Sequence, residues 1–264
     1  MQNRGISSII LLAFALGFLS LGAMAQGGQQ GFDKQDLTGV WMFGTGGGGA
    51  LVDEGIRLTE WSNQEPPWTP QGLAAFNENK PGKGPRRAPP AFGNDPLGGA
   101  NPVGLARLLE YNRPHETFQF EDKVVQIFEW NHTWRIIWTD GRDLPENPDP
   151  WWYGHSIGRW EGDTFVVETV GLDSRAWLDE WGTPASPALR LEERWRRVDS
   201  ETIEFTMTFN DPGIFAQPWT SDTRTFKLQG PDSPYAEIYE VIFAPIDEQD
   251  FNQTIRNPAG GLDP

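Results

Sequence analysis

Residues 116–139 read ETFQFEDKVVQIFEWNHTWRIIWT, from Glu116 to Thr139, and this stretch decides the fold class. Its β-branched and aromatic residues form three short runs, at 117–120, 123–130 and 134–139, which read as consecutive strands. Asp122 and the pair Asn131-His132 punctuate them as turn residues. Downstream, Arg159-Trp160-Glu161-Gly162-Asp163-Thr164 reads as a hairpin, with Gly162 at the position that tolerates positive φ. Further strands are expected at 165–169, 189–198, 202–209, 220–228 and 237–243, and upstream at Leu37-Thr38-Gly39-Val40-Trp41. The spacing of turn signals predicts an all-β domain: a mainly antiparallel barrel or closed sandwich of about nine strands. Only 175–181, between two strands, reads as briefly helical, and no internal repeat has a solenoid period.

The first part of the domain is different in kind. Residues 62–115 are expected to form a long Pro/Gly-rich arm, irregular from Lys80 to Asn101 and draped over the barrel. One helix is predicted inside it at 69–76, with Thr69 as cap and Pro70 in the first turn. Gly46 to Gly49 read as a plain loop, because no Lys-Ser/Thr pair or helix follows as a phosphate loop requires.

Residues 1–25 carry Arg4, an apolar run from Ile9 to Leu21, and Ala23-Met24-Ala25, the small-x-small pattern of a signal peptide cleaved before Gln26. The apolar run is shorter than the roughly 20 residues of a membrane span, and no basic stop-transfer cluster follows it. The expected location is therefore periplasmic or secreted, with no membrane partner after cleavage. Residues 26–36 read as a disordered Gly/Gln-rich leader, 37–250 as a single β domain, and 251–264 as a flexible tail. The chain has no cysteine, which excludes disulfides, thiol catalysis and thiolate metal sites together. The roughly 240 residues after the signal are enough to bury a core without such staples.

A net charge of −16 argues against a nucleic-acid partner. Thirteen tryptophans in 264 residues exceed what a core requires, and surplus indoles line sites for sugars or flat apolar ligands, or fill a barrel.

Alternation across strands indicates which polar groups face inward. Glu193 shares a face with Leu189, Leu191 and Trp195, while Arg190, Glu192, Arg194 and Arg196 form a solvated stripe. The same reading turns Glu129 inward with Val125 and Ile127, and Arg224 inward with Phe226 and Leu228. A buried charge is costly unless paired, so these groups meet one another as a structural bridge or meet a ligand.

The strand ends carry a second constellation. His132, Arg135, Asp140, Arg142 and His155 flank the aromatic run Trp151-Trp152-Tyr153. Imidazole moves protons near neutral pH, a carboxylate can orient it, and arginine can stabilise developing negative charge. The alternative is that His132 and His155 cap turns. His115, His132 and His155 have no close ligand spacing, so neither a metal nor another cofactor is expected. Gly154-His155-Ser156-Ile157-Gly158 is no nucleophile elbow, since its serine is not centred between the glycines.

The run from Gly154 to Thr164, GHSIGRWEGDT, together with Leu37 to Trp41, Asp140-Gly141-Arg142, Glu193-Arg194 and Asp211-Pro212, resembles a large family of uncharacterised exported bacterial proteins. The resemblance covers about Leu37 to Phe243, and Gly39-Val40-Trp41 is also similar to the first strand of lipocalin-like barrels. It implies export and a lipocalin-like β-barrel, with no established reaction. Where that family carries a histidine pair, this chain reads Gly182-Thr183-Pro184-Ala185-Ser186. The family's cysteine in the Pro-rich arm is absent too, and Val241 to Pro245 replaces its Cys-His-Glu-like stretch.

Three functions follow as expectations. The first is a β-barrel that binds a small, partly apolar ligand, aromatic or saccharide-like, in a Trp-lined hollow of the barrel, anchored by Glu129, Arg135, Glu193 and Arg224 and walled by Trp134, Trp138, Trp151, Trp152 and Trp195. The second is a cofactor-independent lyase, isomerase or hydrolase with His155 or His132 as base, Asp140 as orienter and Arg142 as stabiliser. The third is a protein-interaction module with an exposed aromatic face.

Overall fold

A computed structural model describes residues 32–43 and 59–240, and the account below concerns these alone. The chain divides into units 1–31 and 32–264; the first lies outside the described residues, and with it the signal peptide and most of the leader. The Gly46–Gly49 loop, residues 241–243 of the last expected strand, and the 251–264 tail also lie outside them.

Ten strands are described: β1 Gly39–Phe43, β2 His115–Gln119, β3 Lys123–Phe128, β4 Thr133–Trp138, β5 His155–Glu161, β6 Thr164–Val170, β7 Arg190–Arg197, β8 Thr202–Asn210, β9 Trp219–Thr220 and β10 Arg224–Leu228. They are hydrogen-bonded in the order β10-β1-β2-β3-β4-β5-β6-β7-β8-β9, and β10 also pairs with β8. That last pairing closes nine strands into a barrel and leaves β9 as an extra strand on β8. The expected all-β barrel is therefore what forms. It is mixed in one place: β4 and β5 run parallel, with Ile137 opposite Ser156 and Trp138 opposite Ile157. A parallel pair cannot be joined by a tight turn, so residues 139–154 must travel back along the outside of the wall.

Gly162 takes φ 64° in the two-residue β5–β6 turn, as its sequence suggested. Gly158 serves the interior instead: a Cβ there would lie 2.4 Å from the Phe165 ring and 2.8 Å from Ile137. The absent side chain lets Phe165 fill the barrel. Trp41, Ile137, Phe165, Trp195, Phe205 and Phe226 are essentially inaccessible, and the rings of Trp195 and Phe205 lie 4.4 Å apart. Burying each such ring removes roughly 150–250 Å² from water, the main favourable contribution to this fold.

The arm holds more regular structure than expected. Helix α1, Pro70–Glu78, starts as predicted, with the Thr69 hydroxyl accepting from the Gly72 amide at 2.9 Å. Helix α2, Leu105–Glu110, was not expected, and all six of its residues are buried. Conversely, 175–181 is not helical. Asp179 accepts from the Trp181 and Thr183 amides and Asp173 from the Arg175 amide, so side chains claim donors that a helix would use. Residues 237–240 are likewise not a strand. Order begins before Leu37: Arg197 donates to the Asp36 carbonyl at 2.7 Å, and the Gln35 side chain donates to the Gly162 carbonyl at 2.8 Å. No helix among the described residues is long and apolar enough to cross a membrane.

Inside the barrel, Arg135 of β4 meets Glu193 of β7 in a two-pronged ion pair, both contacts 2.7 Å. Gln126 of β3 accepts from Arg135 Nε at 2.7 Å, and the Trp195 indole donates to Glu193 at 3.1 Å. All four side chains are buried. Removing one charge strands the other away from water, which costs about 3–5 kcal/mol, whereas replacing both with apolar groups is far milder. Glu193→Ala should therefore lower urea stability by that amount, and Glu193→Leu combined with Arg135→Met should recover most of it. Equal losses in both variants would contradict this.

Candidate functional site

Because Arg135 and Ile137 point into the barrel, the intervening residues of β4 point out. Trp134, Ile136 and Trp138 thus form a floor on the outer face. The long return between the parallel strands rises beside that floor, bringing Leu144, Pro145, Pro150, Trp151, Trp152 and Tyr153 against it. Between floor and return lies an open cleft of about 720 Å³, within the usual size range for small-molecule sites. Two of its indoles are wide open, Trp134 at 61% and Trp151 at 59% exposure.

The polar groups of the cleft are few. His155, at the start of β5, stacks on Trp151 with ring centroids 4.2 Å apart, and its Nε2 lies 3.0 Å from the Asp149 carbonyl. A carbonyl can only accept, so Nε2 carries the hydrogen and Nδ1 is the basic nitrogen of the ring. The Arg142 guanidinium lies over the Trp138 ring at 3.7 Å and pairs with Asp140 at 2.6 Å. Those hydrogen bonds from Arg142 hold the Asp140 carboxyl below its ordinary range. Asp140 is thus engaged by Arg142, and the group that fixes the His155 ring is a backbone carbonyl.

His132 does not join His155. It sits at positive φ, 44°, ending the 3-10 turn Trp130–His132, and lines a separate depression of about 290 Å³ with Glu129 and Tyr239. The paired-base arrangement is not formed.

The four inward charges also part company. Glu193 and Arg135 hold each other; Arg135 contributes to the cleft lining while its guanidinium lies in the barrel. Arg224 pairs with Glu110 at 3.3 Å. Glu129 lies 4.0 Å from Arg113 and accepts from the Tyr239 amide at 3.4 Å. Glu129 is buried for a different reason from the one its spacing suggested. The inward residues of β3 are Val124, Gln126 and Phe128, while Ile127 is 38% exposed; the strand stops at Phe128, and Glu129 turns in through a helical backbone, φ −60°. Trp195 belongs to the core and not to the cleft.

Sequence reasoning missed Gln126, His115, Glu60, Glu110 and Asp179, all buried. The alternation Val124-Gln126-Phe128 was the available signal for Gln126; for Glu60 there was none. Among the described residues no cluster of His, Cys, Asp and Glu could hold a metal ion. No family model, no curated protein and no solved structure matches the chain.

His115 shows how dry the interior is. It lies 5.4 Å from Phe128 and 5.2 Å from Phe226, ring to ring. Burial, aided by the nearby Arg135 charge, pushes its pKa from 6.5 down to about 3. A base whose folded pKa is depressed contributes stability that is complete above pH 6.5 and is lost as pH falls toward 3. The loss is on the order of 4–5 kcal/mol. His115→Phe should flatten the acid limb of the stability–pH curve by that order, while the wild-type His115 ring stays neutral by NMR at pH 5. A ring titrating near pH 6.5 would refute the assignment.

Proposed function

We propose that this is an exported β-barrel protein that binds a small, partly apolar ligand of aromatic or saccharide character in the cleft outside β4. The observation that carries this reading is the 720 Å³ cleft lined by Trp134, Trp138, Trp151 and Trp152. An indole left open to water on a strand contributes nothing to the core, yet offers a flat π face to a ring or to the C–H face of a sugar. Arg142 supplies a donor and His155 Nδ1 an acceptor that orient such a ligand. Export, to the periplasm or beyond the cell, and membership in the family that the 154–164 run resembles are parts of the same proposal. They rest on the sequence of residues 1–25 and on that run.

A second reading keeps the site and adds chemistry. His155 lies in the cleft with its tautomer set by the Asp149 carbonyl, the arrangement of a single general base. Lyase, isomerase or hydrolase chemistry on the bound ligand would use His155 Nδ1, with Arg142 beside the developing charge.

The test is a thermal-shift and fluorescence screen with aromatic acids, phenols and short saccharides. A hit should bind about tenfold more weakly to Trp134→Ala and to Trp151→Ala, the scale of one lost stacking contact. Because both indoles are more than half exposed, stability should change by less than about 0.5 kcal/mol. His155→Ala separates the two readings: binding without turnover in both wild type and variant favours the binder. A screen in which no compound raises the melting temperature would remove support for the cleft as a ligand site.

A further inference from the structure

Three carboxyls from distant parts of the chain gather away from the cleft, with an arginine against one of them. Glu60 lies just before the arm, Glu110 ends α2, Asp179 belongs to the β6–β7 connection, and Arg224 opens β10; all four are buried. Asp179 accepts four hydrogen bonds, although burial raises its carboxyl above the ordinary range. The Thr183 amide and hydroxyl donate to it at 2.8 and 2.6 Å, the Trp181 amide at 3.1 Å and the Glu60 amide at 3.3 Å. Arg224 Nη2 reaches Glu110 at 3.3 Å and also donates to the Glu60 carbonyl.

The other charged groups near this cluster are committed elsewhere. Arg107 is held by Asp95 at 2.8 and 2.7 Å, Lys83 by Glu180 at 2.7 Å, and Arg86 donates to the carbonyls of Phe76, Asn79 and Trp181. Tyr111, next to Glu110, is kept neutral by burial. Arg224 is thus the guanidinium that touches a carboxyl of the cluster, at Glu110, while the Arg86 charge acts on Asp179.

Glu110 Oε2 is buried with no donor against it, and the Glu60 carboxyl lies within its reach. Two carboxylates are acceptors only, so a bond between them requires a proton. Burial, followed by the Asp179 charge, raises Glu60 from 4.5 to about 7; burial and the Glu60 charge raise Glu110 well above its ordinary value.

The segment this proton holds is not peripheral. Trp61, next to Glu60, is inaccessible, packs on Phe209 at 5.4 Å, donates to the Leu178 carbonyl at 2.7 Å and lies 4.6 Å beneath the Arg224 guanidinium. The Glu60 side chain also accepts from the Glu180 amide at 2.7 Å, tying this segment to the β6–β7 connection.

We propose that Glu60 and Glu110 share one proton that latches the segment Thr59–Ser62 into the core, and that loss of this proton releases the segment from the barrel. A second negative charge beside the first, with Asp179 close by and the Arg224 guanidinium touching only the Glu110 carboxyl, is relieved most directly by withdrawal of Glu60, which carries Trp61 out with it. The sign follows from the raised carboxyl. The latch is complete below pH 4.5 and weakens as pH rises through about 7. This is independent of any ligand in the cleft.

Hydrogen exchange by mass spectrometry on the full chain between pH 5.5 and 9, corrected for the intrinsic pH dependence, tests it. Protection of residues 60–64, relative to β7 and β8, should fall by up to tenfold per pH unit above the midpoint, the slope of one released proton. In Glu110→Gln the amide donates permanently to Glu60, so protection should become independent of pH. A flat wild-type profile, or the same slope in Glu110→Gln, would overturn the latch. If that variant does not fold, carboxyl 13C NMR of the wild type decides: a shared proton at pH 6 sustains the proposal and two ionised carboxylates end it.

Discussion

An ion pair cannot be taken out of water unless every lone pair and proton it exposes is met, and the Arg135–Glu193 bridge imposes that condition on the barrel. Arg135 must point inward from β4, Glu193 from β7 and Gln126 from β3, or the cluster fails. Those three orientations fix the register of three strands, because a slip of one residue would put every side chain on the wrong face. They also fix the outside. With Arg135 turned in, Trp134 and Trp138 have no choice but to face out, so the floor of the cleft is the reverse side of the bridge.

The barrel treats its buried charges in two ways. Glu193 is met by a guanidinium and an indole built around it, and Asp179 by four donors. Glu60 and Glu110 have one arginine contact between them, which leaves a proton as the remaining means of lowering the charge. The first kind of site has its acceptors met by fixed donors and suits a permanent frame. The second lies at the junction of arm, helix and barrel, where movement of a segment does not open the sheet. His115 follows a third route: its imidazole is held neutral by ring contacts and by the positive charge of Arg135.

What could be read from the sequence is what depends on local geometry. The Gly162 turn, the alternation of β7 and the Thr69 cap each follow from the conformation of a few consecutive residues. The inward face of β3 was ambiguous, because Val124 and Val125 suit either face and the deciding partner, Arg135, lies on the next strand. The 175–181 segment has a helical pattern, but Asp173 and Asp179 bond their own neighbours' amides, a competition that periodicity does not register. Helix α2 escaped notice because a six-residue helix buried on all sides has no amphipathic stripe. For the site, the tryptophans of β4 and of residues 151–152 were legible as an aromatic group, but their location was not: the expected hollow within the barrel is a cleft on its outer wall. Nothing in the sequence near Glu60 marks it as a partner of Glu110, fifty residues away and joined to it only by the fold.

The position of the cleft has a physical cause. A barrel of eight or nine strands is wide enough to hold either its own side chains or one small ligand, not both. Here Trp41, Phe165, Trp195, Phe205 and Phe226 occupy the interior, with Gly158 making space for one of them and the ionic bridge spanning strands across it. Emptying that space would cost the aromatic burial and leave Arg135 and Glu193 facing a void, so the interior is committed to stability. The proposed binding cleft lies on the outer wall, where β4 and β5 run parallel. There the 139–154 return rises beside the sheet and gives the wall a second side. The rigid indoles of β4 supply one face of the cleft, and the return, pinned where the Asp149 carbonyl meets His155, supplies the other.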